Sequence, residues 1–227
     1  MLQLSSLLAT FVLGLFLLAP PLAHTNEDLF LTRGFQFIQN TGIPGAPWTS
    51  MTALGYVNQE NPVYLDFSFD THEYTFVLEV EGLSAIDTVF TFVVWTYSGG
   101  TLDVYCDPIL GGTLADYGSD PPNVTSPSTF GDGEVVLGGD IDYVQIITNT
   151  STGHTSSSGR LTLSRGSRLS NIPDTRRPQT TFDWWLDRSS PRPVGYPAEF
   201  DGGVYFDFVS LPVESRTWGS IKIHPFQ

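Results

Sequence analysis

Apolar side chains in this chain recur at every second residue, and no stretch beyond the first 23 residues carries a sustained helical period. Glu73 to Glu81 is the clearest case: Tyr74, Phe76, Leu78 and Val80 share one face, and Thr75, Val77, Glu79 and Glu81 share the other. Successive strand residues point to opposite sides, so this pattern buries one face and wets the other. Val63 to Phe69 alternates in the same way, aligning Val63, Leu65, Phe67 and Phe69. Thr88 to Tyr97 is apolar on both faces and rich in β-branched residues, as expected of a central strand covered on both sides. Ser98-Gly99-Gly100 then reads as a tight turn into a strand over Thr101–Cys106. Further strands are expected at 134–137, 142–148, 160–164, 203–211 and 218–223.

The 22 Gly and 16 Pro interrupt the chain at strand-length intervals. About ten short strands with turn-rich joints predict an all-β fold, an antiparallel two-sheet β-sandwich of jelly-roll-like type, preceded by an N-terminal signal helix. Residues 153–159 read as a flexible loop and 173–197 as a Pro- and Arg-rich excursion. A single domain over 24–227 is expected, because the roughly 30 residues after that excursion are too few to bury a core alone.

The first 23 residues carry no charged side chain, and Leu7 to Leu18 is almost wholly apolar. That run is short for a membrane span and suits the apolar core of a secretory signal, with Ala23 as the small residue before the cut. Residues 1–23 are therefore expected to be a signal peptide, and the remainder a secreted, extracellular chain without a membrane span after cleavage. Cys106 is the only cysteine, so no internal disulfide forms, and its setting in Leu102–Cys106 reads as a strand with a buried, inert thiol. Asn123 and Asn149 head glycosylation sequons.

Between Phe35 and Gly159 lie fifteen Asp and Glu and not one Lys or Arg, whereas from Arg160 onward nine Lys and Arg face seven acids. The net charge is −14. A polyanion of this kind attracts cations and repels nucleic acid. Asp140 and Asp142 flank Ile141 and project from one strand face about 6.6–6.8 Å apart along the chain, while Asp132 sits on a Gly-Asp-Gly turn. Calcium takes six to eight oxygens from carboxylates, carbonyls and water, so Asp132, Asp140 and Asp142 are the candidate Ca²⁺ ligands; a solvated acidic surface is the alternative.

Catalytic signatures are few. Gly-x-Ser-x-Gly and the Asp-Thr-Gly of aspartic proteases are absent, as are phosphate cradles and dinucleotide fingerprints. His72 lies in a turn beside Asp70 and Glu73, without a second His at ligand spacing. Glu79 and Glu81 share a strand face at a separation that glycoside hydrolysis tolerates, as does any such pair on a half-exposed strand. Among the aromatics, Trp184 and Trp185 are adjacent, so on an extended segment one points in and the other out. They are the candidate sugar-stacking residues.

One stretch carries a resemblance. Ser98-Gly99-Gly100-Thr101-Leu102-Asp103-Val104-Tyr105, an acidic loop, and Phe130-Gly131-Asp132-Gly133-Glu134-Val135-Val136-Leu137-Gly138-Gly139 resemble exported bacterial proteins that usually end in a Pro-Glu-Pro sorting tail. Ser158-Gly159-Arg160-Leu161 and Arg165-Gly166 match a third segment of the pattern in part. The likeness implies an extracellular β-protein of the matrix or cell surface with no catalytic motif. The chain ends in Ile223-His224-Pro225-Phe226-Gln227 in place of the tail, so simple secretion is expected. The combined expectation is a secreted, non-enzymatic β-sandwich of the extracellular matrix or cell surface, with Ca²⁺ as its candidate cation. A carbohydrate-binding module, meeting polysaccharide or matrix components through Trp184 or Trp185, is the alternative, and a glycan-active hydrolase the third.

Overall fold

Eight antiparallel strands, each hydrogen-bonded to the next in sequence, close on themselves in the computed structural model, which describes residues 27–37, 50–117, 127–187 and 198–207. The strands are β1 (Glu27–Phe37), β2 (Ser50–Glu60), β3 (His72–Val89), β4 (Phe92–Pro108), β5 (Glu134–Asn149), β6 (Thr155–Arg165), β7 (Thr180–Asp187) and β8 (Ala198–Phe206). The ring closes where β8 pairs with β1, from Glu27 opposite Phe206 to Gln36 opposite Ala198. The expected two-sheet sandwich is therefore wrong: this is one closed barrel. A sandwich interrupts the ladder between its sheets, whereas here β8 takes β1 as its second neighbour and leaves no edge strand. Residues 1–23, Asn123 and 218–223, on which the expected signal helix, a sequon and a strand fall, lie outside the described residues.

Alternation sets the two faces of the wall. Tyr74, Phe76, Leu78 and Val80 point inward from β3 as expected, joined by Leu102 and Val104 of β4, Ile141, Val144 and Ile146 of β5, and Leu161 and Leu163 of β6. An eight-stranded barrel is just wide enough for side chains to fill it. The centre is aromatic: Trp184 packs against Phe182 at 4.7 Å, Phe200 at 5.5 Å and Phe76 at 6.1 Å between ring centroids. Its indole Nε1–H donates to the Thr32 hydroxyl at 2.9 Å, which satisfies the one polar atom such a side chain takes into a core.

Glycines explain why two pairs of expected strands are each one continuous strand. Ser98-Gly99-Gly100 is not a turn but lies inside β4, opposite Glu81 and Val80 of β3. Gly82 (φ +72°) and Gly100 (φ +130°) hold backbone conformations that L side chains rarely adopt, and they bend both strands at one level of the wall. The true turn is Phe90-Thr91, inside the stretch expected to be a central strand. Gly138 and Gly139 likewise lie within β5, which runs through both strands expected in that region. β7 occupies the middle of the expected excursion, and β6 takes up most of the expected loop at 153–159.

Val63 to Phe69 forms no strand. The segment turns at Asn61–Tyr64 and tucks Leu65 and Phe67 under one end of the barrel, leaving Val63 and Phe69 outside. Tyr64 meets Phe206 at 5.0 Å, Phe67 stacks on Tyr74 at 4.0 Å, and Ile172 is buried from the segment joining β6 to β7. Period-two spacing here records a plug, not a ladder.

Candidate functional site on the outer wall

The described parts of the connection from β4 to β5, residues 109–117 and 127–133, pack on the outside of β1, β2 and β3. Leu54 of β2 and Phe130 of the connection are fully buried where the two meet, with Phe35, Tyr56, Val77, Ala115 and Tyr117 packed around them. Hydrogen bonds strap it down: Thr75 Oγ1 donates to the Phe130 carbonyl at 2.8 Å, the Ala115 amide to Glu73 at 2.7 Å, and the Tyr56 hydroxyl to the Ala115 carbonyl at 3.0 Å. Glu73 is thus engaged in the strap, apart from its sequence neighbours Asp70 and His72.

Beside that strap opens a cleft of about 550 Å³ lined by Arg33, Phe35, Tyr56, Asn58, Tyr117 and Glu199. The Tyr117 ring stands edge-on to Phe35 at 4.8 Å and to Tyr56 at 5.8 Å. Across from the rings, Arg33 Nε donates to Glu199 at 2.6 Å. Burial, then the charges of Glu73 and Asp116, push the Tyr56 phenol up to about 12, so it stays protonated. The cleft therefore offers aromatic faces, an amide and a charge-paired guanidinium and carboxylate. Among the described residues Glu199 is its only carboxylate lining residue.

A second, smaller hollow of about 250 Å³ lies on the β5–β8 wall, where Tyr143, Arg160, Asp183, Tyr205 and Asp207 are among the lining residues. Tyr205 is held far above the ordinary phenol range, first by burial and then by the Asp183 charge. Trp185 stands two residues along β7 from Asp183 and is 69% exposed, while Trp184, 2% exposed, is locked in the core. Of the two candidate tryptophans, Trp185 is the one a ligand can reach.

The candidate cation ligands are separated. Asp140 and Asp142 lie on the outer face of β5, and Asp132 lies on the turn that precedes β5. Asp140 accepts from Arg165 at 2.9 Å and from Ser164 at 3.0 Å, and the Arg165 bond, the largest cause, holds its carboxyl below the ordinary value. Arg165 also grips Asp103 through Nε at 2.6 Å and NH2 at 3.0 Å. Among the described residues no three His, Cys, Asp or Glu side chains gather as a metal group. Glu79 and Glu81 are exposed on β3, and neither lines the two clefts. Cys106 is half-buried, and burial pushes its thiol up.

Sequence reasoning missed the larger cleft. Arg33 and Phe35 on β1, Tyr56 and Asn58 on β2 and Glu199 on β8 are brought together by barrel closure, and Tyr117 by the strap. The only local signal was outward aromatic residues at alternate strand positions. Comparison with protein-family models, curated proteins and solved structures finds no match.

Proposed function

We propose that this chain is an exported, non-catalytic glycan-binding barrel of the extracellular matrix or cell surface, taking a polysaccharide in the cleft between β1, β2 and β8. The observation that carries the reading is the set of three aromatic rings, Phe35, Tyr56 and Tyr117, beside Arg33, Asn58 and Glu199 in one open hollow. Sugar rings present apolar C–H faces rimmed by hydroxyls, and such ligands fit aromatic platforms flanked by a few fixed polar groups. Glycoside hydrolysis takes two carboxyl groups, while among the described residues one carboxylate lines the cleft and is bonded to Arg33; binding without turnover fits better. The polar outer wall, with Glu79, Glu81, Asp140, Asp183 and Asp201 exposed, supports a barrel in water, since a membrane barrel turns an apolar band outward. The net charge of −14 disfavours nucleic acid. Trp185 favours a second glycan contact on the β7 wall.

A glycan array followed by titration of the best polysaccharide tests the reading. Tyr117→Ala is expected to weaken binding about tenfold, the equivalent of ~1.4 kcal/mol of lost stacking. Asn58→Ala, on an exposed side chain, should weaken it without lowering the melting temperature. Silence across acidic and neutral polysaccharides, or unchanged affinity in both variants, rejects the cleft as the binding site.

A further inference from the structure

Among the described residues Asp107 is an acid without a partner. It projects outward near the end of β4, opposite Glu73, and is only 8% exposed because the turn 131–133 lies across it. Among the described residues no hydrogen bond or ion pair reaches its carboxylate, although an ionised group buried this far is ordinarily paired or bound to a metal. Its carboxylate faces Gly133, where an added Cβ would collide with it and would come 2.7 Å from the Cys106 carbonyl oxygen. Only a glycine lets the turn approach these two oxygens so closely. Asp132, at the tip of the same turn, adds a second negative charge that acts on Asp107. The Tyr105 ring lies 3.5 Å from the position a Cβ would take on Gly131.

We propose that Asp107 and Asp132, with the Cys106 carbonyl, hold a Ca²⁺ ion beneath the turn that leads into β5. Two carboxylates, a carbonyl and water make an all-oxygen set on a flexible turn, which suits Ca²⁺ better than the smaller, strictly octahedral Mg²⁺. The low count of charged ligands places the affinity in the weak range of extracellular calcium modules, about 10⁻⁴–10⁻³ M. The ion neutralises the buried Asp107 charge and clamps the strap's end onto β4. This site goes beyond the glycan reading and does not rest on it, and it differs from the separated set of Asp132, Asp140 and Asp142.

The test is the melting temperature of the full chain in millimolar Ca²⁺ against NaCl of matched ionic strength, with Tb³⁺ emission sensitised by Tyr105 as a direct readout. Ca²⁺ should raise the melting temperature by a few degrees beyond NaCl. Asp107→Asn should melt higher than wild type in cation-free buffer, lose the Ca²⁺ rise and lose the Tb³⁺ signal. Asp132→Asn should lose the rise and the signal without the gain, and it serves alone should Asp107→Asn not fold. Asp140→Asn should keep both. A wild-type rise no larger than that in NaCl, or a full rise retained in the Asp107 and Asp132 variants, overturns the site.

Discussion

Arg165 stands on β6 yet donates across β5 to Asp103 on β4, with a further bond to the Gly139 carbonyl at 3.2 Å. It carries a positive charge into the half of the wall built from the acid-only stretch. Removing it leaves Asp103, whose side chain is only 14% exposed, without its counter-ion. Arg165→Ala should therefore cost on the order of 2 kcal/mol, a part-exposed value for bonds between charged groups, and lower the melting temperature by about 4–8 °C. Asp140 gives the pH signature of the same cluster. Arg165 and Ser164 hold its folded-state carboxyl below the ordinary aspartate value of 3.8. A depressed carboxyl contributes stability above its unfolded value and loses it as pH falls through the folded one. The stability gap between wild type and Asp140→Asn should thus be constant at neutral pH and shrink below about pH 4, measured by denaturant titration. The gap is small because Asp140 is well exposed.

At the scale of elements, the long β3–β4 hairpin stores strain in its turn. Phe90 is 82% exposed and holds φ +55°, the left-handed region that bulky side chains avoid. Phe90→Asn should relieve about 1 kcal/mol and raise the melting temperature by about 2–4 °C. An unchanged or lower value means the ring makes a contact that offsets the strain. This hairpin also marks where the sequence was legible and where it was not. The inward set Tyr74, Phe76, Leu78 and Val80 was plain, because apolar residues hold every second position, whereas the covering of Thr75 and Val77 on the outer face by the strap left no local mark. The turn was hidden because Val89-Phe90-Thr91-Phe92 contains no residue that usually turns, while Ser98-Gly99-Gly100 does. A Gly pair serves equally for a reversal and for a bend shared by two strands, and only the partner strand, with Gly82, tells them apart. Trp184 and Trp185 were readable as one in and one out, since neighbours on a strand point opposite ways; which one is buried depends on the tier of Phe76, Phe182 and Phe200 around it.

For the whole molecule, the distribution of charge follows the closed ring. β2 to β5 supply acids alone, and the arginines of β6, the β6–β7 joint and β1 bond back onto acids: Arg165 to Asp103, Arg176 to Glu27, Arg33 to Glu199. Closure was not readable from strand patterns, because an inward–outward alternation describes a sandwich face and a barrel wall equally well. Closure is also what builds the aromatic cleft, by setting β8 beside β1 and placing Glu199 within reach of Arg33. The core is packed with side chains, so the glycan site we propose lies on the outside of the wall, where the strap from β4 to β5 packs Tyr117 against Phe35 and Tyr56.

The most direct measurement is a backbone amide NMR titration of the full chain with the polysaccharide selected on the array. Shifts concentrated at Arg33, Phe35, Tyr56, Asn58, Tyr117 and Glu199, with smaller ones around Trp185, are predicted. Saturating ligand that leaves those six amides unmoved, or moves only the opposite wall, contradicts glycan binding at the β1–β2–β8 cleft.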